Sequence, residues 1–167
     1  MSVNPLGRVR SYLRSDVQKY VDYKTSLGFI GLILKYLAAA PLLPTVVALY
    51  YGESPVPFLV TSGIMIVLGI ALEQLRSSPE LGNREAFLLV SLTWFVIPLV
   101  GMVPYLIAGN GTIAHPVNAL FESMSGFTTT GSTVLGEISV ERHPRSILMW
   151  RQLTQWIGGM GILVLMI

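Results

Sequence analysis

Long apolar segments with almost no charged side chains dominate this sequence. Charged residues make up 12% of its 167 residues, whereas a soluble domain carries about 25%. The chain therefore has too few polar side chains to cover a soluble surface. Its apolar segments reach the roughly 20 residues that a helix needs to cross ~30 Å of hydrocarbon. The sequence predicts a membrane protein and argues against a soluble enzyme.

Four such segments follow one another, at about 27–51, 55–72, 86–114 and 145–167. Pro41 and Pro44 lie inside the first segment and are expected to kink or break its helix. Lys35 also lies there, and its long stem can reach the nearer interface. The turn residues Gly109–Gly111 are expected to end the third helix before its last apolar residue.

The distribution of basic residues predicts that the N-terminus faces the cytoplasm. Six of the eleven Lys and Arg residues precede or begin the first segment: Arg8, Arg10, Arg14, Lys19, Lys24 and Lys35. Arg76 and Arg84 lie between the second and third segments, and the turn 52–54 has no basic residue. Arg142 and Arg145 oppose this orientation, but they are outnumbered. A multi-pass protein of the cell membrane is expected.

Residues 1–25 form a separate polar and basic segment, expected to be cytoplasmic. Its apolar residues recur at helical spacing between basic ones, which is typical of an amphipathic helix lying on anionic lipids. A frayed cytoplasmic tail is an equally good interpretation.

The segment between the third and fourth apolar stretches is too short to span. Pro116 is suited to the first position of a helix, and apolar residues keep helical spacing to Phe127. Twelve residues give only ~18 Å of helix. The run Thr128–Thr133, which is TTTGST, then follows without an evident helical or sheet partner. An external loop between two spans is the alternative interpretation.

A re-entrant pore loop explains this pattern better than an external loop does. Irregular backbone at membrane depth persists only where protein buries it or where it lines water. Carbonyl oxygens of such a loop can replace the water around a dehydrated cation. Gly131 permits backbone angles that a side chain forbids, and the C-terminus of the short helix favours cations.

These residues resemble a known family. HPVNALFESMSGFTTTGSTVL, followed by RSILMWRQLTQWIGGMGILVL, is similar to the first helix–pore-loop–helix repeat of the Trk/Ktr/HKT potassium transporter superfamily. The preceding helix pair points to the TrkH type. The resemblance implies an all-α membrane protein with two N-terminal transmembrane helices (26–75), then one helix–re-entrant pore loop–helix repeat (84–167). Within that repeat, the pore helix is 116–127 and the filter is 128–133.

The resemblance also implies a function. Such a protein is the pore-forming subunit of a Trk-type potassium uptake system, with K⁺ as the transported ion and no cofactor. The filter oxygens belong to Thr129, Thr130, Gly131 and Ser132. Four repeats surround the pore in this family, so the chain is expected to be a fragment. The expected partners are a TrkA-like cytoplasmic nucleotide-binding regulatory subunit and a second copy of the full-length protein.

Several other residues have two interpretations each. Glu122 either holds the filter from behind or attracts cations, and the first is favoured. Arg151 either pairs with Glu122 or Glu137 or reaches the interface. Gly158, Gly159 and Gly161 favour helix packing over a gating hinge. The three tryptophans, Trp94, Trp150 and Trp156, are expected to be packing or interfacial residues.

Other functional classes find little support. There are no cysteines and two histidines, and no catalytic or phosphate-binding motif occurs, so an enzyme is not expected. The basic N-terminus has no nucleic-acid-binding signature. A non-conducting membrane scaffold or regulatory subunit is the alternative to transport.

Overall fold

The structure is a computed structural model that describes residues 21–78, 81–108, 111–136 and 138–166, with side chains described up to residue 161. In that part of the chain every regular element is helical. The elements are α1 (Tyr23–Leu37), α2 (Leu42–Tyr51), α3 (Val56–Glu73), α4 (Asn83–Gly101), α5 (Val103–Ala108), a 3-10 helix (Gly111–Ala114), α6 (Pro116–Phe127) and α7 (Arg145–Met166). The amphipathic helix predicted near the N-terminus falls mostly outside the described residues.

Three described segments are long and apolar enough to cross a membrane, at 23–51, 56–73 and 83–108. The expected all-α membrane fold is therefore confirmed. The fourth predicted span corresponds to α7, which has 22 residues and is ~33 Å long. It is not among these three segments, and its first half carries Arg145, Arg151, Gln152 and Gln155.

The first span is interrupted where its prolines predict a break. The helix α1 ends at Leu37, and α2 restarts at Leu42 after a turn that contains Pro41. Pro41 has no N–H, so it cannot continue the helical bonding. In the turn, the Ala38 carbonyl accepts a hydrogen bond from Ser62 Oγ of α3, 2.8 Å away. A side chain of the next helix thus satisfies the interrupted backbone.

Two glycines allow α1 and α3 to pack closely. A Cβ added at Gly31 would lie 2.5 Å from the Gly69 carbonyl oxygen, so a larger residue at this crossing would force the helices apart. Small residues commonly permit such approach in membranes. One turn further, Lys35 Nζ pairs with Glu73 Oε2 at 2.6 Å.

The third span is interrupted between α4 and α5, and backbone carbonyls at this interruption accept hydrogen bonds from α6 and α7. The Gly101 carbonyl at the end of α4 accepts a hydrogen bond from Trp150 Nε1 of α7, 3.0 Å away. The Pro98 carbonyl likewise accepts one from Ser123 Oγ of α6, at 2.8 Å. Trp150 is fully buried, as expected for a packing residue. The break therefore anchors both α6 and α7.

Contacts between connecting segments form two clusters. Asp22, before α1, accepts hydrogen bonds from Ser77, after α3, and from Thr25. Glu53, between α2 and α3, accepts hydrogen bonds from Arg145 and Ser146 at the start of α7. The start of α7 thus lies beside the α2–α3 turn, so these two segments lie at the same end of the helices.

Candidate functional site

The short helix α6 ends where the hydroxyl-rich run begins. It spans Pro116–Phe127, with Pro116 in its first turn, and Thr128 caps its C-terminus. The Thr129 N–H donates to the Gly126 carbonyl at 2.9 Å. Thr129 has φ of +57° and is the only described non-glycine residue with a positive φ. That conformation is strained for a β-branched residue and reverses the chain at the helix end.

Beyond this reversal, residues 130–133 are neither helical nor paired in a sheet. Ser125 holds them against the end of α6. Its carbonyl accepts the N–H groups of Thr130 at 3.0 Å and Gly131 at 3.4 Å. Its Oγ donates to the Ser132 carbonyl at 2.6 Å. One residue of α6 thus fixes three consecutive residues of an otherwise irregular strand.

Gly131 adopts a backbone conformation that favours glycine. Its φ is +76°, and a Cβ added there would meet no atom within 4 Å. The restriction therefore comes from the backbone and not from lack of space. Left-handed backbone costs a residue with a side chain about 1–2 kcal/mol.

A buried ion pair lies behind the strand. Glu122 of α6 and Arg151 of α7 are 1% and 5% exposed, and Arg151 Nε donates to Glu122 Oε1 at 2.5 Å. Glu122 Oε2 accepts the Thr133 hydroxyl at 2.9 Å and the Val134 N–H at 3.0 Å. The hydrogen bonds that this carboxylate accepts from the described residues come from the loop and from α7, which favours the holding role of Glu122. The structure pairs Arg151 with Glu122.

The four predicted ligands lie together on one exposed extended segment, but only two of their four carbonyl oxygens accept a hydrogen bond from the described residues. The Gly131 carbonyl accepts a hydrogen bond from Arg151 Nη2 at 3.3 Å, and the Ser132 carbonyl accepts the Ser125 hydroxyl. The carbonyls of Thr129 and Thr130 accept none from the described residues. Thr129 Oγ1 donates to the Thr128 carbonyl at 2.7 Å. Two main-chain oxygens without a hydrogen-bond partner among the described residues are therefore adjacent in sequence, and both belong to exposed residues.

The ligand atoms that residues 129–132 offer to a cation are oxygens. Among the described residues, no three His, Cys, Asp or Glu side chains are grouped so as to hold a metal ion. Carbonyl and hydroxyl oxygens suit a weakly bound cation that must leave again. An apolar cavity of about 360 Å³ lies elsewhere, between α1, α4 and α7, and none of residues 128–133 lines it.

The helix α7 packs tightly against the end of α6. A Cβ at Gly158 would lie 2.0 Å from the Phe127 carbonyl oxygen, and one at Gly126 would lie 2.3 Å from Thr154 Oγ1. Such close approach supports the packing interpretation for Gly158. In contrast, a Cβ at Gly159 would meet only Thr129 Cγ2, at 3.7 Å.

Sequence reasoning missed Glu53. The sequence indicates only a turn without basic residues at this position, yet the Glu53 carboxylate accepts hydrogen bonds from the first turn of α7, more than 90 residues away. Pro144, which has no capping side chain, precedes α7. This lack of a local N-cap is the one sequence signal that indicates a capping residue elsewhere in the chain.

Comparisons with known proteins agree with the resemblance noted above. The TrkH family, described as cation transport protein, matches residues 57–167. The chain is 38% identical over 148 residues to the Trk system potassium uptake protein TrkH of Vibrio parahaemolyticus. It is 36% identical over 148 residues to the protein of the same name from Escherichia coli (strain K12). Each match covers 87% of this chain and 30% of the relative.

A solved structure is similar as well. The crystal structure of the potassium transporter TrkH from Vibrio parahaemolyticus matches with a TM-score of 0.76 and 37% identity, over 87% of this chain and 31% of that one. The chain thus spans about 30% of the length of these relatives. Since the family match covers well over half of the chain, the chain belongs to the TrkH family of cation transport proteins, which are transporters and not enzymes.

Proposed function

We propose that this chain is the N-terminal portion of a four-repeat potassium transporter, in which Thr129, Thr130, Gly131 and Ser132 supply filter oxygens of the first repeat. One observation carries the proposal. An exposed strand outside any helix or sheet presents two unpaired carbonyls, and Ser125 and the Glu122–Arg151 pair hold it from behind. Fixing an extended segment in this way costs conformational entropy. The unpaired carbonyl oxygens can coordinate a cation that has lost part of its hydration shell.

Transport in this proposal involves no covalent chemistry. A potassium ion exchanges its hydration oxygens for carbonyl oxygens, and the electrochemical gradient drives its movement. The Arg151 guanidinium occupies one side of the Gly131 carbonyl, so the stronger ligands of this repeat are the Thr129 and Thr130 carbonyls. The other repeats would complete the ring.

The test uses potassium and sodium flux of the full-length protein in liposomes. Gly131→Ala forces a side chain into left-handed backbone and is expected to reduce potassium flux and the preference over sodium. Gly136→Ala is the matched control, because Gly136 lies in the same loop, lacks a positive φ and has open space around it. Equal flux and preference in both variants would contradict the filter assignment.

The non-conducting scaffold or regulatory subunit is the second candidate. It draws support from the hydrogen bonds that the Gly131 and Ser132 carbonyls already accept. The same flux measurement separates the two candidates. A full-length protein that carries no potassium above empty liposomes would favour the scaffold.

We place the N-terminus in the cytoplasm of a cell-membrane protein. Residues 1–167 contain no cysteine, so a single cysteine introduced here can report the side in a full-length protein that is free of cysteine elsewhere. Ser54→Cys in the α2–α3 turn is expected to react with an impermeant reagent in intact cells. Leu81→Cys, between α3 and α4, is expected to react only after permeabilisation. The reverse pattern would contradict this orientation.

We also propose that the full-length protein forms a homodimer and binds a TrkA-like nucleotide-binding subunit on the cytoplasmic face. The similarity to proteins named as parts of a Trk system supports the second of these. Light scattering of the purified protein tests the dimer. Co-purification with the regulatory subunit tests the complex, and a monomer that binds no such subunit would contradict both.

A further inference from the structure

Glu53 is held rigidly in the turn between α2 and α3. Gly52, with φ of +69°, ends α2 in the left-handed conformation. The Glu53 N–H donates back to the Ala48 carbonyl at 2.8 Å, and the Gly52 N–H donates to the Leu49 carbonyl at 3.4 Å. These two bonds form a Schellman motif. The backbone from which the Glu53 carboxylate projects is therefore fixed by the end of α2.

The Glu53 carboxylate caps α7. Oε1 accepts the Arg145 N–H at 2.7 Å, and Oε2 accepts the Ser146 N–H at 2.9 Å and the Ser146 hydroxyl. A helix N-terminus leaves N–H groups unpaired and carries a partial positive charge. A carboxylate accepts hydrogen bonds from those N–H groups, and its negative charge is stabilised there. The Arg145 guanidinium also lies 4.3 Å from the centre of the Tyr51 ring, at the end of α2.

The electrostatics of Glu53 agree with this capping role. Its partial burial raises the pKa of the carboxyl, but the hydrogen bonds from Ser146 and Arg145 and the charge of Arg145 outweigh it. The pKa of Glu53 therefore lies below its ordinary value, so the carboxylate is charged at neutral pH.

The helix α7 also carries Arg151, which contacts the proposed filter segment, residues 129–132. Arg151 lies six residues after Arg145, about 9 Å along the axis, and donates to the Gly131 carbonyl at 3.3 Å. This distance is near the outer limit of a hydrogen bond, so the contact is sensitive to the position of α7. The pair with Glu122 holds the Arg151 side chain, and the position of α7 sets where the Arg151 backbone lies, so a contact at the start of α7 acts on the same distance.

We propose that Glu53 is a positioning residue for ion selectivity: it ties α7 to the N-terminal helix pair and thereby sets the distance between Arg151 and the Gly131 carbonyl. The inference rests on the proposed function, because it assigns to Gly131 a filter oxygen. It gives the N-terminal helix pair a role in the pore, although Glu53 itself does not touch the ion.

The experiment compares Glu53→Ala and Glu53→Gln in the full-length protein, reconstituted in liposomes. The readouts are the potassium-to-sodium flux ratio and the thermal unfolding midpoint. Glu73→Ala is the matched control, since it removes a carboxylate paired with Lys35 near the opposite end of α3. We expect Glu53→Ala to lower the flux ratio by roughly threefold or more, the range for residues that couple to a site without touching it.

Glu53→Gln keeps one acceptor oxygen and should give an intermediate ratio, while Glu73→Ala should leave the ratio at the wild-type value. If Glu53→Ala cannot be purified, the flux ratio of Glu53→Gln decides: a ratio below the wild-type value supports the proposal, and an unchanged ratio overturns it. A variant with a lower unfolding midpoint and an unchanged flux ratio would reduce Glu53 to a fold contact and overturn the proposal.

A double variant tests the route through Arg151. Arg151→Lys removes the contact with the Gly131 carbonyl, so adding Glu53→Gln to it should change the flux ratio little further. Fully additive effects would overturn the proposed route. A selective wild type with unaffected Glu53 variants refutes this inference alone, whereas a wild type that carries no potassium refutes the proposed function and this inference together.

Discussion

A single methyl group at Gly158 is expected to disturb the proposed filter segment, residues 129–132, from behind. Gly158 lies on α7, where a Cβ would come within 2.0 Å of the Phe127 carbonyl oxygen and 2.7 Å of its carbonyl carbon. Both atoms belong to the backbone at the end of α6, so no flexible side chain can move aside. Gly158→Ala must therefore push α7 away from α6.

The size of the effect follows from these distances. Carbon and carbonyl oxygen approach to about 3.3 Å at closest, so the helices must separate by ~1.3 Å at this point. Overpacking of this kind costs about 1–3 kcal/mol, against ~1 kcal/mol gained from replacing a helical glycine by alanine. At Gly159 the nearest atom is 3.7 Å away, so only the gain applies.

The assay pairs Gly158→Ala with Gly159→Ala in the purified full-length protein. We expect Gly158→Ala to lower the unfolding midpoint and potassium flux, because Arg151 lies about two helical turns before Gly158 and moves with α7. Gly159→Ala should unfold at the same temperature as the wild type or slightly higher, with normal flux.

Two results would refute the reasoning about Gly158. One is a Gly158→Ala variant that matches the wild type in both stability and flux, which would mean that α6 and α7 are not in backbone contact there. The other is equal loss in both alanine variants, which would point to a flexible hinge that needs glycines in general.

Three further variants test other contacts. Ser125→Ala removes the donor to the Ser132 carbonyl and is expected to cost about 0.5–1.5 kcal/mol and reduce potassium flux; chemical denaturation checks the cost, and an unchanged midpoint contradicts it. Trp150→Phe removes the donor to the Gly101 carbonyl and should lower the unfolding temperature, in contrast to a tolerated Trp156→Phe at an exposed position. Hydrogen bonds from Ser77 and Thr25 lower the pKa of Asp22 from 3.8 to about 2; its contribution to stability is therefore complete above pH 4 and lost as the pH falls towards 2. Asp22→Asn should flatten that part of the pH–stability profile, and an identical profile would show that these bonds do not act on folding.

Local patterns carried the prediction of most helices. Proline at the first helical position and apolar spacing indicated a helix at 116–127, and the structure has α6 at Pro116–Phe127. Pro41 indicated the break that separates α1 from α2. These features depend on residues within one or two turns of each other, which sequence rules describe well.

Contacts between distant residues could not be predicted in the same way. The sequence left Arg151 two acidic partners, Glu122 and Glu137; the packing of α6 on α7 pairs it with Glu122, and Glu137 lies outside the described residues. The capping of α7 by Glu53 joins residues more than 90 positions apart, and no spacing rule reaches that far. The glycines near the end of α7 looked alike in sequence, but only Gly158 lies against the backbone of Phe127.

The most direct test of the filter assignment is the position of a heavy potassium substitute, such as Rb⁺ or Tl⁺, in a crystal of the full-length protein. Its anomalous signal locates the ion independently of the protein coordinates. We expect a peak in contact with the carbonyl oxygens of Thr129 and Thr130, on the side of the strand away from Arg151. A peak bound elsewhere in the protein, with none beside these residues, would contradict the account.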